Sequence, residues 1–176
     1  VNIKLDTTAD LWNTVRALGR ISKKENAAEA AVLSAQARLH EIAQSYAGKP
    51  RPRVLYVIAS NPLDVVGNHN FMNETLTLAG ANNVAAKIGN SFITISDETL
   101  VKLAPDVLLI GAPGQPEQQA DDPRLTRWQR YAIPAVAAHR VFLVTDPDAL
   151  TASVDLPKNV RSLADLIHRG VPSTTG

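Results

Sequence analysis

The sequence predicts an α/β fold, a three-layer lobe with a parallel sheet that follows one long helix. Three continuous apolar runs, at residues 54–59, 107–110 and 141–144, are typical of parallel strands buried on both faces. Helical patterns separate these runs, and such alternation favours a sheet with helices on both sides. A break at residues 48–52, with two prolines and a glycine, precedes the lobe. We therefore expect a Rossmann-like lobe from residue 53 onwards.

The segment before the break predicts two helices. Residues 1–5 alternate apolar and polar side chains, as a short terminal strand does. A first helix runs to about Leu18, with Gly19 at its end. Residues 23–48 predict the longest helix, on the order of 35 Å at about 1.5 Å per residue. Its apolar stripe has spacings of three and four and consists of Ala28, Val32, Ala35, Leu39, Ile42 and Tyr46.

Within the lobe, capping residues and apolar periodicity place the remaining helices near 70–79, 96–103, 123–131 and 158–168. Residues 171–176 are small and polar, and we expect a frayed tail there.

Composition excludes several classes of function. Lys and Arg number 18 and Asp and Glu number 17, so charge gives no case for binding nucleic acid or an anionic membrane. Cysteine is absent, which excludes thiolate catalysis and zinc sites built on cysteine. No apolar run approaches 18 residues. The chain begins at Val1 with no signal sequence before it, and this says nothing about its compartment.

Ligand-binding loops are expected beyond the carboxyl ends of the parallel strands, at residues 60–70, 112–120 and 145–153. They include Asn61, Gln115 and Asp148. The first loop also carries Gly67, Asn68 and His69 just before a predicted helix, whose free N–H groups favour an anion or a carbonyl. Alternatively, Asn70 caps that helix and Gly67 makes the turn.

Few residues suggest catalysis or a metal. Asp146 and Asp148 flank Pro147, where two carboxylates could bind a metal or act as acid and base, although Asp-Pro-Asp also suits a simple turn. His69 could ligate haem iron or another metal. The motifs GxGxxG, GxxxxGK[ST] and GxSxG do not occur. We therefore expect no catalytic residue, no cofactor and no bound metal.

Two further residues have open interpretations. Phe92 stands in a connector without a clear helical or strand face, so it either lines a cleft or packs onto its own lobe. Glu98 lies in the first turn after Ser96, where a carboxylate stabilises the helix dipole and remains exposed.

Two segments carry a family resemblance. LTLAGANNVA at residues 76–85 and ISDETLVKLAPDVLLI at residues 95–110 resemble the signatures "LelaGg.Nv" and "is.E.l..l.PDvii" of periplasmic substrate-binding proteins with a helical backbone. That group serves ABC importers of cobalamin, ferric siderophores and haem. Ala17-Leu18-Gly19 and the Ala-rich helix after it are also similar to the family, as are Pro52-Arg53-Val54-Leu55 and Gly67.

The resemblance implies two α/β lobes joined by one long helix, with a cobalamin-like, haem or ferric siderophore ligand between them. Phe92 falls where cobalamin-binding members place a cleft tryptophan, and Glu98 where the family docks onto arginines of the ABC permease. By this resemblance, residues 1–22 hold the end of the first lobe, 23–48 the backbone helix and 53–170 the second lobe. The first lobe would then precede residue 1, and the apolar surface left uncovered invites self-association.

The resemblance further implies that the protein acts in the periplasm or elsewhere outside the cytoplasm. Two alternatives come from other classes of protein. One is a small α/β metal-dependent hydrolase that uses Asp146, Asp148 or His69. The other is an interaction module that has lost the transport role.

Overall fold

The computed structural model of the chain describes residues 5–149 and 151–169. The terminal strand predicted at residues 1–5, apart from Leu5, and the tail predicted at 171–176 lie outside these residues. The α-helices are α1 (Thr8–Ile21), α2 (Glu25–Ser45), α3 (Phe71–Leu78), α4 (Asp97–Leu103), α5 (Pro134–Ala137) and α6 (Leu156–Ile167). The strands are β1 (Arg53–Ser60), β2 (Leu63–Val66), β3 (Asn82–Asn83), β4 (Phe92–Thr94), β5 (Val107–Gly111) and β6 (Val141–Val144).

One sheet has the strand order β4-β2-β1-β5-β6, and β3 pairs with the beginning of β1. Strands β1, β3, β5 and β6 are parallel, which confirms the predicted fold class. The prediction of a loop over residues 60–70 was wrong in part, because β2 returns there antiparallel to β1 and pairs with β4. The four-residue strand follows an Asn61–Pro62 turn with a cis peptide bond, and such a short strand has no distinct pattern of its own.

Helices cover both faces of the sheet. Helices α1, α2, α3 and α6 bury Tyr56 and Leu109 in one apolar core. On the other face, α4, α5 and a 3₁₀ segment (Pro123–Arg130) bury Leu55, Leu108 and Trp128 in a second core. The helix predicted at residues 123–131 is observed as this 3₁₀ helix. We call these two sides the α2 face and the α4 face.

Gly19 does not end the first helix, contrary to the prediction. Helix α1 continues to Ile21, and Lys23, at φ 55°, makes the turn into α2. A Cβ at Gly19 would lie 2.4 Å from the Cβ of Ala28, so the glycine is needed for the close contact between α1 and α2. Sequence alone does not distinguish a glycine that ends a helix from one that admits a neighbour.

Arginines bind the carboxyl ends of helices at the amino edge of the sheet. Arg51 donates to the carbonyls of Thr77 and Ala81, each at 2.9 Å, and Arg140 donates to that of Ile167 at 2.6 Å. A cation at a helix carboxyl end is favoured by the free carbonyls there. The amino edge is thus occupied by structural contacts, which leaves the carboxyl edge for ligand loops. No helix of the described residues is long and apolar enough to cross a bilayer.

Candidate functional site

Three of the predicted ligand-binding residues follow parallel strands at the carboxyl edge of the sheet. Asn61 follows β1, Gln115 follows β5 and Asp148 follows β6, and all three are exposed. This edge is where open α/β sheets bind ligands, because the loops of neighbouring strands converge there. The structure therefore brings the three residues to one side of the lobe.

The Asp146-Pro147-Asp148 segment forms a turn. The backbone N–H of Asp148 donates to the Asp146 carboxylate at 2.9 Å, and the buried amide of Asn159 donates to the Asp148 carbonyl. These bonds fit the turn interpretation of the aspartate pair. Across residues 5–149 and 151–169, no three His, Asp or Glu side chains form a group that could hold a metal ion.

The loop of residues 67–70 lies after β2 and is built into the fold. The amide nitrogen of Asn70 donates to the Ser91 carbonyl at 2.9 Å, and its oxygen caps α3 by accepting from the Asn73 N–H at 2.9 Å. The N–H of Gly67 donates to the Ser91 carbonyl at 2.7 Å. Asn68 accepts from its neighbour His69, which is exposed and has φ 51°. Asn70 and Gly67 thus have structural roles, and ligand binding by this loop stays a prediction.

The Asn83 side chain binds three other parts of the chain. Its buried side-chain nitrogen donates to the carbonyls of Val66 and Gly67 at 3.0 and 3.1 Å and to the Asn73 side chain at 2.8 Å. Its oxygen accepts from the N–H of Ala85 at 3.1 Å. Asn83, the second asparagine of the LTLAGANNVA segment, therefore holds the end of β2, helix α3 and the chain after β3 in register.

Phe92 lies in β4, at the edge of the sheet, and 56% of its surface is exposed. It is opposite Val66, which is buried in the core on the α2 face, so the Phe92 ring lies on that face too. The prediction that Phe92 stands in a connector was wrong, because three residues are too few to show an alternating pattern. Its exposure agrees with a residue that lines a cleft.

Asp64 and Thr94 share the face of Phe92, and sequence reasoning missed both. The Thr94 hydroxyl donates to the Asp64 carboxylate at 2.5 Å, and the two residues are directly paired between β2 and β4. Period-two spacing from Val66 and Phe92 is the signal that could have located them. Of the strand residues that the structure describes, Ile58 and Phe92 are the exposed large hydrophobic ones.

Glu98 is exposed in the first turn of α4, which Ser96 caps. Hydrogen bonding from Ser96 and from its own backbone N–H holds the pKa of Glu98 below its usual range, so the carboxylate stays ionised at neutral pH. Its neighbour Asp97 is bound by Arg130 at 3.0 Å and by the Tyr131 hydroxyl at 2.8 Å. Both carboxylates of this turn are exposed, and Asp97 is the one bound by neighbouring side chains.

Apolar side chains are also exposed on the two helices before the lobe. Leu18 and Ile21 on α1 are 53% and 80% exposed, and Leu33 on α2 is 56% exposed. Such side chains favour contact with another surface. Self-association of the chain stays a prediction.

The fold and its edge loops have the layout of a ligand-binding lobe: an α/β sheet with polar loops at its carboxyl edge and an exposed aromatic on one face. The chain belongs to the periplasmic binding protein family, whose model matches residues 2–148. No curated protein matches the chain.

Solved structures with the same fold are longer than this chain. A possible iron-binding (periplasmic solute-binding) protein from Staphylococcus epidermidis has a TM-score of 0.81 at 19% identity, with 96% of this chain and 66% of that protein covered. The periplasmic heme-binding protein RhuT from Roseiflexus sp. RS-1 has a TM-score of 0.75 at 17% identity, with 93% and 64% covered. S. aureus IsdE complexed with heme has a TM-score of 0.74 at 20% identity, with 94% and 67% covered. These likenesses show the fold, and this chain spans about two thirds of each of those proteins.

Proposed function

We propose that the chain is the solute-binding part of an ABC importer and captures a ferric siderophore, haem or a cobalamin-like ligand without catalysis. Family membership supports solute binding and a place outside the cytoplasm. The observation that carries the proposal is Phe92, an exposed aromatic on the sheet face beside Asp64 and Thr94. The haem and iron-binding relatives support this ligand class.

In this proposal the two parts of the site do different work. Phe92 packs against a flat or apolar part of the ligand, since an aromatic ring contributes a large contact area at little cost in entropy. Asn61, Gln115 and Asp148 supply hydrogen bonds from the carboxyl edge. Gly67, Asn68 and His69 lie at the far end of β2, which runs antiparallel to β1, and His69, the exposed side chain of that loop, is the proposed contact there.

Phe92→Ala is expected to weaken ligand binding by about tenfold or more, because it removes apolar contact of a buried Phe in the complex. The chain is titrated with haem, cyanocobalamin and ferric siderophores, followed by ligand absorbance and calorimetry. Leu33→Ala is the matched control, since Leu33 has the same 56% exposure and lies on α2. Equal losses in both variants, or binding of none of the ligands, would contradict the proposal.

We also propose that Glu98 docks onto arginines of an ABC permease. Its support is the exposed carboxylate at the start of α4, held ionised at neutral pH. A charge pair across an interface steers association and fixes orientation. The role needs no ligand, so it is tested separately.

Glu98→Arg is expected to abolish docking to the permease and transport, because it sets like charges against each other. Glu98→Gln should weaken docking less. Glu41, exposed on α2, provides the control variant Glu41→Arg. The measurements are co-purification with the permease and ligand uptake. Unchanged uptake in Glu98→Arg would contradict the docking role of Glu98.

A further inference from the structure

A cavity of about 620 Å³ opens between the β1–β2 turn, the beginning of α4 and the 3₁₀ segment. Its polar walls include Ser60, Asn61, Ser96 and two arginines, Arg127 and Arg130. Residues three apart in a 3₁₀ helix lie on the same side, so the segment presents both guanidinium groups to the cavity. The cavity is thus lined by hydrogen-bond donors.

Arg127 has no hydrogen-bond acceptor among the described residues. Its Nε atom is buried and unpaired, and its guanidinium lies 4.8 Å from the centre of the Trp128 ring. A buried donor on a charged group that lacks an acceptor is costly. An acceptor that enters the cavity would remove this cost.

The charge in the cavity is positive. Among the described residues of the wall there is one carboxylate, that of Asp97, which is already bound by Arg130 at 3.0 Å and by the Tyr131 hydroxyl at 2.8 Å. No ion pair to Arg127 occurs in residues 5–149 or 151–169. Arg127 therefore supplies the charge that no neighbour balances.

We propose that this cavity binds the carboxylate or phosphate group of a small molecule, with Arg127 as the principal contact. A guanidinium presents paired N–H donors that match the two oxygens of such a group. Arg130 has further donors beyond those bound to Asp97 and Tyr131, and Ser60 and Asn61 can donate from the opposite wall.

The site goes beyond the proposed solute site. Leu63 and Ile95, which line the cavity, belong to the core on the α4 face. Phe92 lies on the α2 face, opposite Val66. Asn61, in the turn at the carboxyl edge, and Thr94, which is paired with Asp64, belong to both sites. Anion binding here and solute binding at Phe92 can therefore fail independently.

The test titrates the 176-residue chain with inorganic phosphate and with citrate at constant ionic strength, followed by calorimetry. The unmodified chain is expected to bind at least one of them saturably, and Arg127→Met to bind it at least about tenfold more weakly, because charge-assisted hydrogen bonds are lost. Arg38→Met, on the exposed side of α2, removes the same charge and should leave the affinity unchanged.

Arg127→Lys is a second variant, used in case Arg127→Met does not fold. It keeps the positive charge and the aliphatic stem and loses the paired donors of the guanidinium. It is expected to fold like the unmodified chain and to bind several-fold more weakly. Preference for phosphate or for citrate identifies which oxyanion the cavity takes. Absence of saturable binding by the unmodified chain, or equal affinities in a folded Arg127→Met variant, overturns the proposal.

Discussion

Asn83→Ala is expected to lower the free energy of unfolding by about 3–5 kcal/mol, the cost of several lost hydrogen bonds and of buried partners left unpaired. The Asn83 side chain makes four such bonds, and it is only 7% exposed. Its loss leaves the carbonyls of Val66 and Gly67 without this donor, and the end of β2 loses the link to α3 that Asn83 makes through Asn73.

Urea unfolding of the 176-residue chain measures this change. Asn82→Ala is the matched control, because Asn82 is the exposed neighbour in the same two-residue strand. It is expected to change the stability by less than about 0.5 kcal/mol, as exposed substitutions do. Equal effects at the two positions would show that Asn83 does not hold these segments together.

Gly67→Ala is expected to lower the free energy of unfolding by about 2–3 kcal/mol, the cost of overpacking a tight backbone contact. A Cβ at Gly67 would lie 2.5 Å from the Gly89 carbonyl oxygen and 3.1 Å from that of Ser91. The segment cannot retreat freely, because the N–H of Gly67 donates to Ser91 at 2.7 Å and that of Asn68 donates to Gly89 at 2.8 Å.

Gly114→Ala is the control for Gly67→Ala. Gly114 has φ 71° and nothing within 4 Å of an added Cβ, so its substitution adds backbone strain without a collision. A cost of about 1 kcal/mol is expected there. Thermal and urea unfolding of both variants check the difference, and a Gly67→Ala variant as stable as Gly114→Ala would contradict the tight contact.

The fold class followed from the sequence because buried parallel strands and capped helices have local signals. Asn70 and Ser96 cap α3 and α4 at the predicted helix beginnings. Strands β2 and β4 were missed because their pairing depends on residues far apart in the chain, such as Val66 and Phe92. Local patterns do not contain that pairing.

The part of the candidate site that lies at the carboxyl ends of the parallel strands could be predicted from the sequence. Asn61, Gln115 and Asp148 reach the carboxyl edge because they follow parallel strands. The amides of the 67–70 loop looked available for a ligand, but Asn70 binds Ser91, 21 residues away along the chain. Nothing in the sequence marks Arg127 as a candidate binding residue. Whether its guanidinium has a hydrogen-bond acceptor depends on which groups the fold brings near it.

Site-resolved chemical-shift mapping on the isotopically labelled chain tests the central claim most directly, that the surface around Phe92 and the carboxyl edge binds the solute. Cyanocobalamin and the gallium(III) analogues of haem and of ferric siderophores are diamagnetic and suit the measurement. The largest shifts are expected at Asp64, Phe92 and Thr94 and in the loops of Gln115 and Asp148. Shifts centred on the amino edge, near Arg51, or no shifts with any of these ligands, would contradict the claim.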